Sequence, residues 1–420
     1  MQFVMSGSKK DMSFMLGDGL LKAFDMLRLA STVANSPKAI ADAIQNTIPS
    51  AFPLKGIGED ESLAFLGPFI FEQAANLDSP HALAHMDPPT PWITWATAMF
   101  NARLNQNLLH PATAPFARQS EQIVIDYLVP YFGMQGGHFC SGSTLANLTA
   151  LWAARDERGI TKVVASSDAH ISIAKAAKIL GLAYESIEVN DKGQLDHKSI
   201  GDVSNACLVL TAGTTSTGAV DKLDIAKRTN AKWVHVDAAW AGPLRLSAAH
   251  KYLLDGIEAA DSVAISAHKW LFQPKDSAIV LFKELAPANE AISMGSDYLV
   301  APNIGVQGSR GAAAISLLAT ILAWGEEGFS QRINRNMEMA DKLASFVVSH
   351  PHLTLWQKPV TGVTVFAPTQ IPVAELLLKL PEGMFSTCKI NNKRYLRSVA
   401  ANPNADIALI LATLERVLQD

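Results

Sequence analysis

Residues 262–276 read SVAISAHKWLFQPKD. An apolar run of strand type stops at small residues, then sets an imidazole, an amine and an indole side by side: His268, Lys269 and Trp270. A lysine at the end of a buried strand is costly to desolvate unless it is used. Its uses are an ion pair, a phosphate contact or a covalent bond to a carbonyl. Three other strand-like runs also end in reactive groups. VASSDAH ends at His170, LTAGTTSTG in the hydroxyls of Thr214, Thr215, Ser216 and Thr217, and VHVDAAWAG at Asp237, followed by Ala238 and Ala239. Taken singly, each has an ordinary explanation: a structural histidine, a turn cap, a surface lysine. Taken together, they would converge on one rim of a sheet. Upstream, GGHFCSGSTLANLTAL (136–151) passes from glycines and small hydroxyl residues into a helix. The free N–H groups and dipole of that helix start suit a phosphate or carboxylate, and Ser143 or Thr144 suits the N-cap. It is not a Walker loop, because no lysine follows the glycines.

A phosphate seat, a buried amine, a carboxylate and a flat imidazole together describe a site for pyridoxal 5'-phosphate. Lys269 can form a Schiff base with the cofactor's aldehyde. Asp237 can hold the proton on the pyridine nitrogen that makes the ring an electron sink. His170 offers a flat group for one ring face and Ala239 a small one for the other. The 32 residues from Asp237 to Lys269 fit one strand–helix–strand unit, which would put both on neighbouring strands.

The elements that must position these groups alternate from about residue 92 to 325. Helix-like 144–158, 171–181, 223–229 and 248–257 are interleaved with strand-like 162–167, 183–189, 206–213, 232–238, 262–266 and 277–282. Short apolar strands alternating with helices predict an α/β fold with a mainly parallel sheet covered on both faces, and ligands gather beyond the carboxyl ends of such strands. Residues 1–86 read as short helices (GLLKAFDMLRLAS, AIADAIQNTI, ESLAFLGPFIFEQAANL) that pack on another domain or subunit, and DPPTP (87–91) ends that pattern. The expected large domain spans 87–325. Residues 326–420 carry a long helix, short strands and a final helix, the order expected of a small α+β domain.

Composition bounds the partners. Of 420 residues, 49% are hydrophobic and 18% charged, and the net charge of -4 comes without a basic tract, which argues against nucleic acid or an anionic membrane as partner. The apolar stretch AAAISLLATILAW (312–324) is shorter than the roughly 20 residues needed to span a bilayer and reads as a core helix. Cys140, Cys207 and Cys388 show no metal-type spacing and suit a reducing compartment. The N-terminus, with lysines and no sustained apolar block, is a poor secretion signal, so a cytoplasmic location is expected.

The stretches HVDAAWAG, SAHKW, TAGTTSTGAVD, SGSTLANLTAL and DAHISIAKAAKILGL resemble the group II pyridoxal-phosphate-dependent amino-acid decarboxylases, from residue 87 to near 403. These include glutamate, aromatic amino-acid and diaminobutyrate decarboxylases. The resemblance implies the aminotransferase-like fold type I, with a seven-stranded sheet, and a homodimer with active sites at the interface. It implies that Lys269 carries the cofactor, Asp237 contacts the pyridine nitrogen, His170 stacks on the ring and Ala239 lies beneath it. Thr215 would sit near cofactor and substrate. Ser143, Thr144, Ser266 and His268 would surround the phosphate, with Gly308 and Ser309 of QGSRG reaching the partner's phosphate. The reaction implied is decarboxylation of an L-amino acid to the amine and CO2. The chain departs from the family in lacking the long loop with a catalytic tyrosine: SDYLVAPNIGVQGSRG joins the flanking segments almost directly. Tyr298 matches only the residue before that loop, and His268 or a group from the partner could supply the proton instead. GVQGSRG followed by WGEEGF is also similar to sphingosine-phosphate lyases and short-loop archaeal tyrosine decarboxylases, which leaves carbon–carbon lyase chemistry open. A cofactor-binding scaffold with little activity is a further alternative. An aminotransferase would need an arginine clamp, and Arg394 and Arg397 read more simply as strand residues. Trp92, Trp95, Phe100 and His110 could line a substrate entrance or belong to the core.

Overall fold

The computed structural model describes residues 19–29, 48–72 and 74–419. The expected helix AIADAIQNTI lies outside the described residues, save its last one. The chain divides into two compact units, one reaching Asn76 and one beginning at Leu77. In the first unit, helix α1 (Gly19–Leu29) packs on α2 (Glu59–Glu72). The acidic first turn of α2 (Glu59, Asp60, Glu61) complements the helix dipole, and Lys22 pairs with Asp60.

The second unit opens with α3 (Trp92–Leu104) and α4 (Pro115–Phe132). Then follow β1 (Gly136–Cys140), α5 (Ser143–Arg158), β2 (Lys162–Ser166), α6 (Ile171–Ile179), β3 (Ala183–Ile187), β4 (Ala206–Thr211), β5 (Trp233–Asp237), β6 (Ser262–Ile265) and β7 (Ala278–Phe282). These seven strands form one sheet in the order β1-β7-β6-β5-β4-β2-β3. All pairings from β6 to β3 are parallel, and β7 runs antiparallel to both its neighbours. The carboxyl ends of β1, β2, β4, β5 and β6 therefore share one rim.

The strands are apolar throughout because each face of the sheet is covered. Leu208, Leu210, Val234, Val236, Val263 and Ile265 enter one hydrophobic core, while Cys207, Val209, Trp233 and Ala264 enter another, beneath α5 and α6. Side chains alternate in direction along a strand, so His235 and Asp237 share the α5–α6 face with Trp233.

Two of the expected helices are short 3₁₀ segments instead, at Leu223–Lys227 and Lys251–Leu254. The backbones of these two connections touch. Gly256 has φ 100°, and a Cβ there would stand 2.6 Å from the Asp224 nitrogen. So close an approach leaves no room for two full α-helical turns with their side chains. The strand β1 and the helices α3 and α4 were not among the predicted elements. Gly136 and Gly137 mask the strand character of β1, and a Cβ on Gly137 would stand 1.9 Å from the Val280 carbonyl oxygen.

Beyond β7, α7 (Leu285–Ala291) leads into two short paired strands, β8 (Ser293–Met294) and β9 (Asn303–Ile304). Helix α8 (Ala313–Ser349) follows, with a break at Gly325 (φ 61°, ψ -176°). The C-terminal α+β layer consists of β10 (Leu353–Leu355), β11 (Val363–Pro368), β12 (Ser386–Ile390) and β13 (Lys393–Val399), an antiparallel sheet in the order β10-β11-β13-β12. Helices α9 (Val373–Lys379) and α10 (Ile407–Gln419) and the second half of α8 share its core. Among the described residues no helix is long and apolar enough to cross a membrane.

Candidate active site

The turn after β6 is built to present one amine. The backbone doubles back through hydrogen bonds from the Lys269 N–H to the Ser266 carbonyl (3.2 Å) and from the Phe272 N–H to the Lys269 carbonyl (2.9 Å). Phe272 accepts a left-handed backbone (φ 57°) to complete the reversal. Trp270 is the wedge that fixes it. Its fully buried indole stacks on Trp240 with centroids 4.2 Å apart, and donates to the Ala400 carbonyl at 3.2 Å. Trp240 in turn donates to the Thr361 carbonyl at 2.7 Å, so both indoles tie the rim of the large sheet to the C-terminal layer.

The Lys269 amine lies in a buried setting that lowers its pKa from 10.5, chiefly by desolvation, while the Asp237 carboxylate opposes that shift. Two cations, Lys275 and Arg397, act on it in the same direction as burial. Asp237 closes β5 in register with Thr211 on β4 and Ala264 on β6. It is buried, and its two oxygens accept from the Ala239 N–H (3.1 Å) and from Asn147 Nδ2 (3.0 Å). His170 precedes α6 as its N-cap, with Nδ1 accepting from the Ser172 N–H at 3.2 Å and lying 2.8 Å from Ser172 Oγ. Its ring remains exposed to the rim. Desolvation lowers the His170 pKa, with Asp237 pulling it up and Lys269 pushing it down. The Asp237 charge thus acts on both Lys269 and His170, and the Lys269 charge acts on His170.

Ala239 and Ser266 are buried behind these groups, and the Ser266 N–H donates to the Ala239 carbonyl at 3.4 Å. Ser266 Oγ is a buried hydroxyl with no hydrogen-bond partner among the described residues. His268 is half-buried; burial and the cations Lys275 and Lys269 bring its pKa down to about 4. Its Nδ1 lies 3.1 Å from the Ser277 carbonyl oxygen, which can only accept, so Nδ1 carries the proton of the neutral ring.

On the neighbouring strand end, Thr214 and Thr217 bond to one another at 2.8 Å and brace a turn between Gly213 and Gly218. Thr215 is left exposed at its tip. At the start of α5 the N-cap position is held by Gly142 and has no side-chain cap, in contrast to the expected Ser143 or Thr144. The first helical bonds run from the Leu145 and Ala146 N–H groups to the Gly142 carbonyl, which leaves the Ser143 and Thr144 N–H groups outside the helix ladder.

The segment bearing Gly308 and Ser309 lies beside this helix start within the same chain. Gln307 accepts from the Ser141 N–H and donates to Ser141 Oγ, both at 2.8 Å, and Ser309 Oγ accepts from Asn107 at 3.1 Å. Arg310 is engaged in a two-pronged pair with Glu121 on α4. Tyr298 is exposed between β8 and β9, with its ring 6.3 Å from that of His110. Trp92, Trp95 and Phe100 are exposed on α3 and are not core residues.

Sequence reasoning passed over Asn147, Ser172, His235 and Gln307, and read Arg397 only as a strand residue, which it is. His235 was open to recognition, because it stands two residues before Asp237 and shares its face of the strand. Arg397 is half-buried on β13, donates to Ser386 Oγ at 3.1 Å, and keeps a buried Nε with no hydrogen-bond partner among the described residues. Nothing local in the sequence sets it apart from Arg394.

The donor set suits pyridoxal phosphate: a desolvated amine for the aldehyde, a buried carboxylate for a cationic ring nitrogen, an exposed imidazole ring, an unpartnered buried hydroxyl, and an uncapped helix start for a phosphate. Residues 65–368 match the model of the pyridoxal-dependent decarboxylase conserved domain. The chain is 28% identical to an L-2,4-diaminobutyrate decarboxylase of Acinetobacter baumannii over 87% of its own length and 84% of the relative's. It is 30% identical to an L-2,4-diaminobutyrate decarboxylase of Rhizobium meliloti, covering 83% and 78%. The fold also matches the crystal structure of the glutamate decarboxylase domain of a diaminobutyrate-pyruvate transaminase and L-2,4-diaminobutyrate decarboxylase from Vibrio parahaemolyticus, with TM-score 0.81 at 22% identity over 97% of this chain and 94% of that one. These matches do not favour the carbon–carbon lyase or the inactive scaffold. The chain belongs to the pyridoxal-dependent decarboxylase family and is a pyridoxal-phosphate-dependent carboxy-lyase of amino-acid metabolism.

Proposed function

We propose that the protein decarboxylates an L-amino acid to its amine and CO2 with the cofactor bound covalently at Lys269. The observation that carries this reading is the desolvated Lys269 amine at the same sheet rim as Asp237 and His170. Lowering an amine's pKa raises the fraction present as the free nucleophile at neutral pH. Bound pyridoxal phosphate supplies an electron sink for the electron pair left when the carboxylate departs as CO2.

The chain's own groups divide the remaining work. Asp237 holds a proton at the ring nitrogen. His170 and Ala239 confine the ring from its two faces. The Ser143 and Thr144 N–H groups, Ser266 Oγ and His268 receive the phosphate, and Thr215 stands at the substrate side. Arg397, a half-buried cation whose charge reaches Lys269, receives the substrate's α-carboxylate. The protein works as a cytoplasmic homodimer, with the Gly308–Ser309 segment directed to the partner's phosphate. Three unpaired thiols and the apolar residues exposed on α3 accord with those two statements. The large and small domains are taken to meet at 325/326, where α8 breaks at Gly325.

The test is CO2 release across glutamate, aspartate, diaminobutyrate, tyrosine, tryptophan and lysine, repeated with Lys269→Ala. Release from at least one amino acid, lost in the variant, supports the reading. Release that persists in Lys269→Ala refutes the covalent anchor.

A further inference from the structure

A buried chain of hydrogen bonds runs under the sheet rim from Trp233 to His170. Trp233 Nε1 donates to Ser262 Oγ (2.8 Å), and Ser262 Oγ lies 2.8 Å from His235 Nδ1. His235 Nε2 lies 3.0 Å from Asn147 Oδ1. Asn147 Nδ2 donates both to Asp237 Oδ2 (3.0 Å) and to Ser172 Oγ (2.9 Å), and Ser172 Oγ lies 2.8 Å from His170 Nδ1. Trp233, Ser262, His235, Asn147, Asp237 and Ser172 are each at most 4% exposed, so water cannot stand in for a missing partner.

The direction of every bond follows from Asp237 and His170. A carboxylate can only accept, so Asp237 requires that Asn147 turn its Nδ2 toward it. His170 requires the same independently: its Nδ1 already accepts the Ser172 N–H, so Ser172 Oγ gives its proton to Nδ1 and its oxygen accepts from Asn147 Nδ2. Both demands turn Asn147 Oδ1 to His235 Nε2, which must carry the proton of the neutral ring. His235 Nδ1 then accepts from Ser262 Oγ, whose oxygen takes the Trp233 N–H. Burial keeps His235 neutral by bringing its pKa down to about 4. With Nδ1 accepting, the neutral His170 carries its proton on Nε2.

We propose that Asn147 is the positioning residue of this site: its single permitted orientation holds Asp237 as a carboxylate and His235 as the Nε2–H tautomer at once. Both Asp237 oxygens face donors with nothing to offer a carboxyl proton, the Ala239 N–H and Asn147 Nδ2. The Asn147 amide therefore sets the charge that meets the cofactor. The consequence for the cofactor rests on the role of Asp237 proposed above, whereas the bond directions do not.

The test uses full-length protein labelled with 15N-histidine, as purified and after saturation with pyridoxal phosphate. Two-bond 1H–15N correlations distinguish Nδ1–H from Nε2–H. His235 and His170 are expected with the proton on Nε2, and a proton on Nδ1 of either ring in the wild type overturns the proposal. Asn147→Leu removes the acceptor from His235 Nε2, so the His235 tautomers are expected to mix while His170, still held by the Ser172 N–H, stays Nε2–H. Pyridoxal phosphate binding is expected to weaken by about 10-fold or more, as loss of a hydrogen bond to a charged group implies. An unmixed His235, or binding within about 3-fold of the wild type, overturns it. If Asn147→Leu does not fold, the wild-type spectrum still decides. Wild-type protein that fails to bind the cofactor at all refutes the cofactor roles, while its histidine spectrum still decides the bond directions.

Discussion

Replacing Asp237 with asparagine preserves shape and removes charge, so its effect can be worked from the contacts. The two carboxylate oxygens accept from the Ala239 N–H at 3.1 Å and from Asn147 Nδ2 at 3.0 Å. An asparagine there turns one oxygen into an NH2 group, and either rotamer sets a donor against a donor. Asn147 cannot flip to relieve this, because its Oδ1 is held by His235. The variant thus loses one hydrogen bond to a charged group, about 1.5–3 kcal/mol. It also leaves a cationic ring nitrogen without its buried counter-charge, and breaking such a pair costs about 3–5 kcal/mol. Taking the second term as the rate effect, kcat/KM for CO2 release should fall by about 10²–10⁴, since about 1.4 kcal/mol is one decade. Cofactor affinity should fall as well, and a thermal melt checks that the fold is intact. A folded Asp237→Asn protein that binds the cofactor normally and keeps activity within about 10-fold of wild type would refute the assignment of Asp237 to the ring nitrogen.

Three further outcomes are expected. His268 has its proton on Nδ1 and a pKa of about 4, so an arriving phosphate finds a bare Nε2; binding the dianion should draw a proton onto it. Calorimetry at pH 7 in buffers of different ionisation enthalpy should show proton uptake that shrinks in His268→Gln, and equal uptake in both proteins argues against a phosphate role. Lys269 has a folded-state pKa below its ordinary 10.5, so it adds stability above that value and loses it as pH falls through the folded one. Cofactor-free Lys269→Met should therefore unfold at higher urea than the wild type at pH 7, with the gap narrowing as pH approaches 10.5; a constant gap contradicts the desolvation argument. Gly362→Ala forces a side chain onto φ 70° with its Cβ 2.7 Å from the Trp270 ring, and should cost about 1–3 kcal/mol in urea unfolding. No change there would mean that the turn can shift without disturbing the wedge.

The chemistry was legible because it sits at strand ends, where short apolar runs stop abruptly at polar residues. His170, Asp237 and Lys269 each terminate such a run, and the parallel sheet brings those ends to one rim. The strands were readable for the same reason, since two covered faces require uninterrupted apolar sequence. What escaped was set by tertiary contact. β1 is hidden by Gly136 and Gly137, which are there because Leu285 and the β7 backbone press against them. The 3₁₀ connections at 223–227 and 251–254 carry helical periodicity but are squeezed by the approach of Gly256 to Asp224. Asn147 sits in an ordinary-looking helix, and its importance lies in groups 25 and 90 residues away in sequence.

The departure from the family pattern after Tyr298 has a concrete form. β8 and β9 pair directly, Ser293 with Ile304 and Met294 with Asn303, so residues 295–302 form one short connection with Tyr298 exposed on it. The residues 295–302 between the paired strands are too few for a long loop that folds over a site and delivers a phenol. In the proposed reaction the proton that replaces CO2 would then come from another group. Within this chain, neutral His268 is not that group, because its one proton points at the Ser277 carbonyl. It becomes a donor only once Nε2 is also protonated, and a bound phosphate is the charge that would bring this about. If His268 is the donor, proton uptake on cofactor binding and protonation of the product would both depend on its Nε2, and His268→Gln should lower both together.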